Sequence, residues 1–166
     1  ASKSKIMKSV LNFANSGGMV MGICNGFQIL VETGLLPGVL LRNKYLEFIC
    51  KNVFVKVKNK QNTYFKDIDN DVLEFHIAHN EGNYFCTNDQ LKEIEDNEQV
   101  AINYCDKEGN IEDQFNPNGS IKNIAGIFNK EKNILGMMPH PERMIDPSLS
   151  GEDGSLFFNT LINNLK

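Results

Sequence analysis

A cysteine between two glycines carries the clearest chemical signal in this sequence. Cys24 follows the apolar run 19–23 and precedes a helical pattern that begins at Asn25. The flanking residues, Gly22 and Gly26, allow a sharp turn where a side chain would clash. A nucleophile on such a strand-to-helix turn lies beside a helix N-terminus, whose partial positive charge and free N–H groups favour a thiolate and a nearby oxyanion. The segment therefore predicts acyl transfer through a thioester, with Cys24 in a strained backbone conformation.

A base for this thiol is offered by one of the three histidines. His140 stands between two prolines, directly after the apolar run 134–138. Imidazole titrates in the range that a cysteine nucleophile requires. The carboxyl ends of strands also form the ligand-binding edge of doubly wound sheets. Glu142 is suited to hold the tautomer of His140 and to stabilise the imidazolium. We therefore predict a Cys24–His140–Glu142 triad, with His140 within hydrogen-bond reach of the thiol, or slightly further away without substrate.

Each of these residues also has a structural interpretation. Taken alone, Cys24 is compatible with a buried inert thiol, His140 with a capping residue and Glu142 with a solvated charge. Their joint presence and the glycines beside the cysteine favour catalysis. His79 and Glu81 have no third ligand in the sequence, so no metal site is predicted.

Composition excludes several classes of function. The net charge is -4 and no basic run is present, which argues against a nucleic-acid surface. The apolar stretches are too short to span a bilayer, and no secretory signal is recognisable. We therefore expect a cytoplasmic protein with reduced cysteines, of which Cys50, Cys86 and Cys105 are interpreted as thiols of the core.

Helical and strand patterns alternate along the chain and predict one α/β domain over residues 1–166. The expected architecture is a three-layer sandwich with a mixed, mainly parallel sheet, because the unbroken apolar run 19–24 is typical of a parallel strand covered on both faces. Helices are predicted over 6–14, 25–32, 91–96 and 156–165, and strands over 19–24, 52–58, 72–78, 99–104, 121–128 and 134–138.

The first predicted element is a helix, although a crossover helix in a parallel sheet follows a strand. We therefore expect the sequence to lack an N-terminal piece with at least one strand. Two missing βα units would amount to on the order of 60 residues.

These motifs resemble those of a known family. Residues 22–28, GICNGFQ, are similar to the G-x-C-x-G-x-Q nucleophile motif of triad-type (class I) glutamine amidotransferases, and 140–142 resemble their H-P-E motif. The resemblance implies a flavodoxin-like fold. More narrowly, the chain resembles the glutaminase subunits of phosphoribosylformylglycinamidine synthase. That narrower resemblance rests on residues 22–28 together with 35–38, 41–43, 77–84 and 138–143.

The resemblance implies roles for particular residues. Cys24 attacks the side-chain amide of L-glutamine, and His140 carries the proton from the thiol to the departing ammonia. The backbone N–H of Asn25 is one oxyanion donor. Gln28 helps to hold the substrate, together with a segment formed by His79, Asn80 and Glu81.

The resemblance also implies partners. Ammonia passes to a large ATP-dependent synthetase subunit, accompanied by a small accessory subunit, which makes formylglycinamidine ribonucleotide in purine biosynthesis. ATP and Mg²⁺ belong to that partner, and no cofactor is expected on this chain. In the family an N-terminal glycine-rich stretch supplies a second oxyanion N–H, and the sequence starts after it. The alternatives are an inactive, truncated docking scaffold and a glutaminase that serves another synthetase.

Overall fold

A computed structural model describes residues 4–148 and 151–165 of the chain. The helices are α1 (Lys5–Asn15), α2 (Asn25–Glu32), α3 (Asn88–Asp96) and α4 (Asp153–Asn164). The strands are β1 (Val20–Ile23), β2 (Val39–Leu41), β3 (Ile49–Val57), β4 (Val72–His79), β5 (Asn83–Phe85), β6 (Val100–Cys105), β7 (Ile124–Phe128) and β8 (Ile134–Met137). Every predicted helix and strand is present, although a 3₁₀ turn replaces the start of the strand predicted over 121–128. The short pair β2 and β5 was not predicted.

Six strands form one sheet in the order β1-β8-β7-β6-β3-β4, and β2 pairs with β5 separately. The predicted mixed α/β sheet is confirmed, but its parallel part is smaller than predicted. Of the five pairings in the described sheet, β1–β8 is parallel and the other four are antiparallel. Strands joined without a crossover helix, such as β7 and β8, run antiparallel. Both are buried along their whole length, which gives them the apolar pattern of parallel strands.

Helices cover both faces of the sheet, which confirms the predicted three layers. Helices α1, α2 and α3 contribute to one apolar cluster, whereas α4 packs into the other. Strand β8 faces both clusters alternately: Ile134 lies in the first, while Leu135 and Met137 lie in the second. None of the described helices is long and apolar enough to cross a membrane.

The parallel pair β1–β8 brings the two predicted catalytic segments to one edge of the sheet. Gly22 lies beside Gly136 in this register, and the backbone N–H of Cys24 donates to the carbonyl of Met137 at 2.8 Å. A Cβ on Gly136 would lie 2.2 Å from the ring of Phe27. Helix α2 therefore packs directly on the strands that carry the site.

The turn that holds His140 is fixed from two sides. The backbone N–H of His140 donates to the carbonyl of His76 on edge strand β4 at 2.7 Å. On the other side, the N–H of Gly154 at the start of α4 donates to the carbonyl of Met144 at 2.8 Å. A Cβ on Gly154 would lie 1.8 Å from the carbonyl oxygen of Pro141. Close approach of α4 to this turn therefore requires glycine.

We predict that Gly154→Ala destabilises the chain by about 1–3 kcal/mol, because the new methyl group meets backbone that must move. Thermal unfolding measures the change. Asn159→Ala on the exposed side of the same helix is the matched control and shifts stability by less than about 0.5 kcal/mol. Equal stability of the two variants would contradict this account of the packing.

Candidate active site

Cys24 occupies a strained turn between β1 and α2, as the sequence predicts. Its backbone has φ 51° and ψ −104°, a conformation that costs a residue with a side chain roughly 1–3 kcal/mol. Hydrogen bonds hold both sides of the residue: its N–H donates to Met137, and its carbonyl accepts from the N–H of Gln28 at 3.2 Å. The sheet and the helix together therefore impose the conformation that presents the thiol.

The thiol of Cys24 is half-buried, and its surroundings shift its pKa in opposite directions. Burial is the largest effect and raises its pKa, and the charge of Glu142 acts in the same direction. The backbone N–H of Asn25 and the charge of Arg143 lower the pKa. The helix N-terminus thus favours the thiolate, as predicted, but burial outweighs it. A nearby base is therefore required to ionise the thiol.

His140 is oriented as a base by its neighbour. Its Nδ1 lies 2.5 Å from Oε1 of Glu142, and the imidazole side chain is 10% exposed. A carboxylate only accepts hydrogen bonds, so Nδ1–H is the donor and Nε2 of the neutral ring keeps a lone pair. Nε2 is buried and has no hydrogen-bond partner among the described residues. The predicted His140–Glu142 pair is therefore present, whereas Nε2 makes no hydrogen bond to Cys24, and the triad stays a prediction.

The predicted substrate residues meet near Cys24. The side-chain amide of Gln28 donates to the carbonyl of Glu81 at 3.0 Å, which ties α2 to the turn between β4 and β5. In β4, just before this turn, the carbonyl oxygen of Ala78 lies 4.0 Å from Sγ of Cys24. Gln28 and Glu81 also line a cleft of about 150 Å³, together with Gly38. The structure therefore brings residues distant in sequence to one site.

Asn43 is a residue of this site to which sequence reasoning gave no role. It is 1% exposed, and its amide donates to the carbonyls of Glu47 and His79 at 2.8 and 2.9 Å. Its carbonyl oxygen lies 3.0 Å from both the N–H of Gly82 and Nδ1 of His79. Its own N–H donates to the carbonyl of Asn80. Asn43 therefore fixes the turn that contains all three predicted substrate residues of that segment.

His79 is buried in this network rather than exposed to the site as a charged group. It is 4% exposed, and Asn43 accepts from its Nδ1–H. Burial lowers the pKa of His79 to about 4, with a further contribution from the charge of His140. The ring is therefore neutral near pH 7. No group of three or more potential metal ligands occurs within 4–148 and 151–165.

Known proteins resemble this chain over nearly its whole length. Residues 1–151 match the CobB/CobQ-like glutamine amidotransferase domain family. The chain is 77% identical over 166 residues to the phosphoribosylformylglycinamidine synthase subunit PurQ of Pelagibacter ubique, covering all of this chain and 73% of that protein. The corresponding subunit of Aquifex aeolicus is 42% identical over 99% of this chain and 73% of its own length.

Solved structures show the same likeness. The structure of PurLQS from Thermotoga maritima contains a chain with 35% identity and a TM-score of 0.83, over 99% of this chain and 70% of that one. A glutamine amidotransferase from the same organism has 16% identity and a TM-score of 0.54, covering 95% of this chain and 64% of that one. The second likeness concerns the fold alone.

We predict that His79→Gln makes the folded chain less sensitive to acid. The folded-state pKa of His79, about 4, lies below the unfolded value of 6.5, so below pH 6.5 the unfolded chain binds the proton more readily. Wild-type stability therefore falls as the pH falls from 6.5 towards 4, and this histidine accounts for about 2 kcal/mol of the loss at pH 5. Urea unfolding at pH 7.5 and pH 5 measures the difference.

His76→Gln is the control for this experiment, because it removes a more exposed histidine. It should relieve less of the acid sensitivity than His79→Gln. An unchanged loss of stability in His79→Gln between the two pH values would show that the buried histidine is not its source.

Proposed function

We propose, on the premise that the chain belongs to the CobB/CobQ-like glutamine amidotransferase family and within it to the PurQ subunits, that Cys24, His140 and Glu142 form its catalytic triad. The chain is a glutaminase subunit of phosphoribosylformylglycinamidine synthase, an enzyme of purine biosynthesis. One observation supports the triad above all others. The strained Cys24 turn and the His140–Glu142 pair follow neighbouring parallel strands.

The first chemical step is formation of a thioester. Nε2 of His140 takes the thiol proton of Cys24, and the thiolate attacks the side-chain carbonyl carbon of glutamine. Glu142 stabilises the imidazolium that results. The backbone N–H of Asn25, which already faces the sulfur, donates to the oxyanion.

The second step releases ammonia and then glutamate. The tetrahedral intermediate collapses as His140 returns its proton to the departing nitrogen, which leaves as ammonia. Water then attacks the glutamyl thioester with His140 as the base, and the thiol of Cys24 is restored. The raised thiol pKa supports this sequence, because the proton must be removed during attack.

Substrate binding is assigned to Gln28 and the turn with His79, Asn80 and Glu81. The bond between Gln28 and the Glu81 carbonyl supports this assignment, because it holds the turn beside the nucleophile. The turn offers backbone groups that suit the amino-acid end of glutamine. Asn43 holds this turn in place through four hydrogen bonds, to His79 twice and to Asn80 and Gly82 once each.

The names of the relatives indicate the partners of this chain. We infer that ammonia passes to a large ATP-dependent synthetase subunit, with a small accessory subunit, as the name PurLQS of the Thermotoga maritima assembly suggests. ATP and Mg²⁺ are assigned to the synthetase, and this chain needs no cofactor of its own. The cytoplasm is the proposed location, which agrees with the four free cysteines.

We predict that a glutamine-analogue alkylator modifies Cys24 selectively in the complex with the synthetase. The reagent binds as the substrate does and meets the nucleophile, whereas the other three cysteines have no glutamine site beside them. Peptide mass spectrometry locates the label, and excess L-glutamine should protect the thiol. Equal labelling of all four cysteines would argue against a glutaminase and for a docking scaffold.

Glu142→Gln should lower the glutaminase kcat of the complex by roughly 10²–10⁴, because the amide neither fixes the tautomer of His140 nor stabilises its charged form. Steady-state glutamate release measures the effect. Glu95→Gln on the exposed face of helix α3 is the matched carboxylate control and keeps full activity. A kcat within twofold of the control would remove Glu142 from the triad.

A further inference from the structure

A second cysteine has a histidine partner outside the site described above. Cys50 on β3 is exposed, contrary to its interpretation as a core thiol, and its Sγ lies 3.4 Å from Nε2 of His76 on β4. The other ring nitrogen of His76, Nδ1, lies 2.9 Å from Oδ1 of Asn52. A thiol, an imidazole and an amide are thus arranged in series across two strands.

The hydrogen bonds of this group run in one direction. The side-chain amide of Asn52 donates to Oε1 of Glu74 at 3.2 Å, so its oxygen is the atom that faces His76. That oxygen accepts from Nδ1–H, which leaves the lone pair of His76 on Nε2. The lone pair faces the S–H group of Cys50. The arrangement matches the cysteine–histidine–asparagine series in which histidine removes the thiol proton.

The strand register fixes this arrangement. Asn52 pairs directly with His76 and Cys50 with Ala78 in the antiparallel β3–β4 ladder, so side chains two residues apart share one face. Val53 and Phe75 point to the opposite face, where they join the core. The thiol and its partners therefore lie on the solvent side of the hairpin.

Burial and nearby positive charge favour the neutral ring of His76. Its pKa is lowered by burial first, and then by the positive charge of Arg143 in the turn after β8. The carboxylate of Glu74 reaches the ring only through Asn52. A neutral imidazole near pH 7 is the form that accepts a proton from a thiol.

We propose that Cys50 is a second nucleophilic thiol of this protein, activated by His76 and modified by small disulfides such as oxidised glutathione. Its class of reaction is thiol–disulfide exchange, and it is independent of glutamine hydrolysis. The thiolate is the attacking species, and both its formation and its access favour the reaction. Exposure supplies access, and His76 supplies the base.

The exchange replaces the S–S bond of the reagent with a new S–S bond to Cys50. His76 takes the proton of Cys50, and the sulfur electron pair forms a bond to one sulfur of the small disulfide. The S–S bond of the reagent breaks, and the departing thiolate takes the proton from His76. Cys50 is oxidised to a mixed disulfide, and the released half of the reagent is reduced to a thiol.

The test uses the complex with Cys24→Ser, which removes the other accessible thiol. Oxidised glutathione is added between pH 6 and pH 9, and peptide mass spectrometry follows each remaining cysteine over time. Cys50 should be modified at least tenfold faster than the buried Cys86 and Cys105. In this background, His76→Gln should lower the rate at Cys50 by about tenfold at pH 7 and by less at pH 9, because hydroxide ions then compete with the imidazole as the base.

Two further variants separate activation from simple exposure. Asn52→Ala keeps the base but removes its orienting partner, and should slow the reaction by less than His76→Gln. Lys51 lies between Cys50 and Asn52 on β3. Lys51→Arg retains its charge, so this variant should not change the rate at Cys50. Equal rates at pH 7 with and without His76, or a rate that rises with pH identically in both, would overturn the proposal.

Discussion

The candidate site depends on one backbone constraint, the left-handed conformation of Cys24. At φ 51° this residue is strained, and it stays in place because β1, β8 and α2 all hold it. The parallel β1–β8 pairing supplies the carbonyl of Met137 to its N–H, while α2 packs on Gly136. The one parallel pairing of the described sheet thus lies at the point where the thiol must be presented.

The edge strand β4 completes the site from the other side. The carbonyl of His76 accepts from the backbone of His140, and that of Ala78 lies beside Sγ of Cys24. An edge strand has free carbonyls along its outer side. Here these carbonyls face the segments that carry Cys24 and His140. Asn43 then fixes the turn that follows β4. The strand therefore joins the nucleophile, the base and the proposed substrate turn.

The sequence predicted the elements better than their pairing. Helical and strand periods located α2 and β8, and the glycines beside Cys24 indicated its turn, because these signals are local. Antiparallel pairing of β7 with β8 was not predicted, since burial on both faces hides strand direction. Asn43 received no role because its hydrogen bonds join segments far apart in the chain. The same holds for Cys50, whose partner lies on another strand.

Trapping the covalent intermediate tests the central claim most directly. The complex is mixed with glutamine, quenched in acid during turnover, digested and analysed by mass spectrometry. The account predicts a glutamyl thioester on the peptide that contains Cys24, and none on Cys50, Cys86 or Cys105. Glutamine hydrolysis with no adduct on Cys24, or with the adduct on another cysteine, would contradict it.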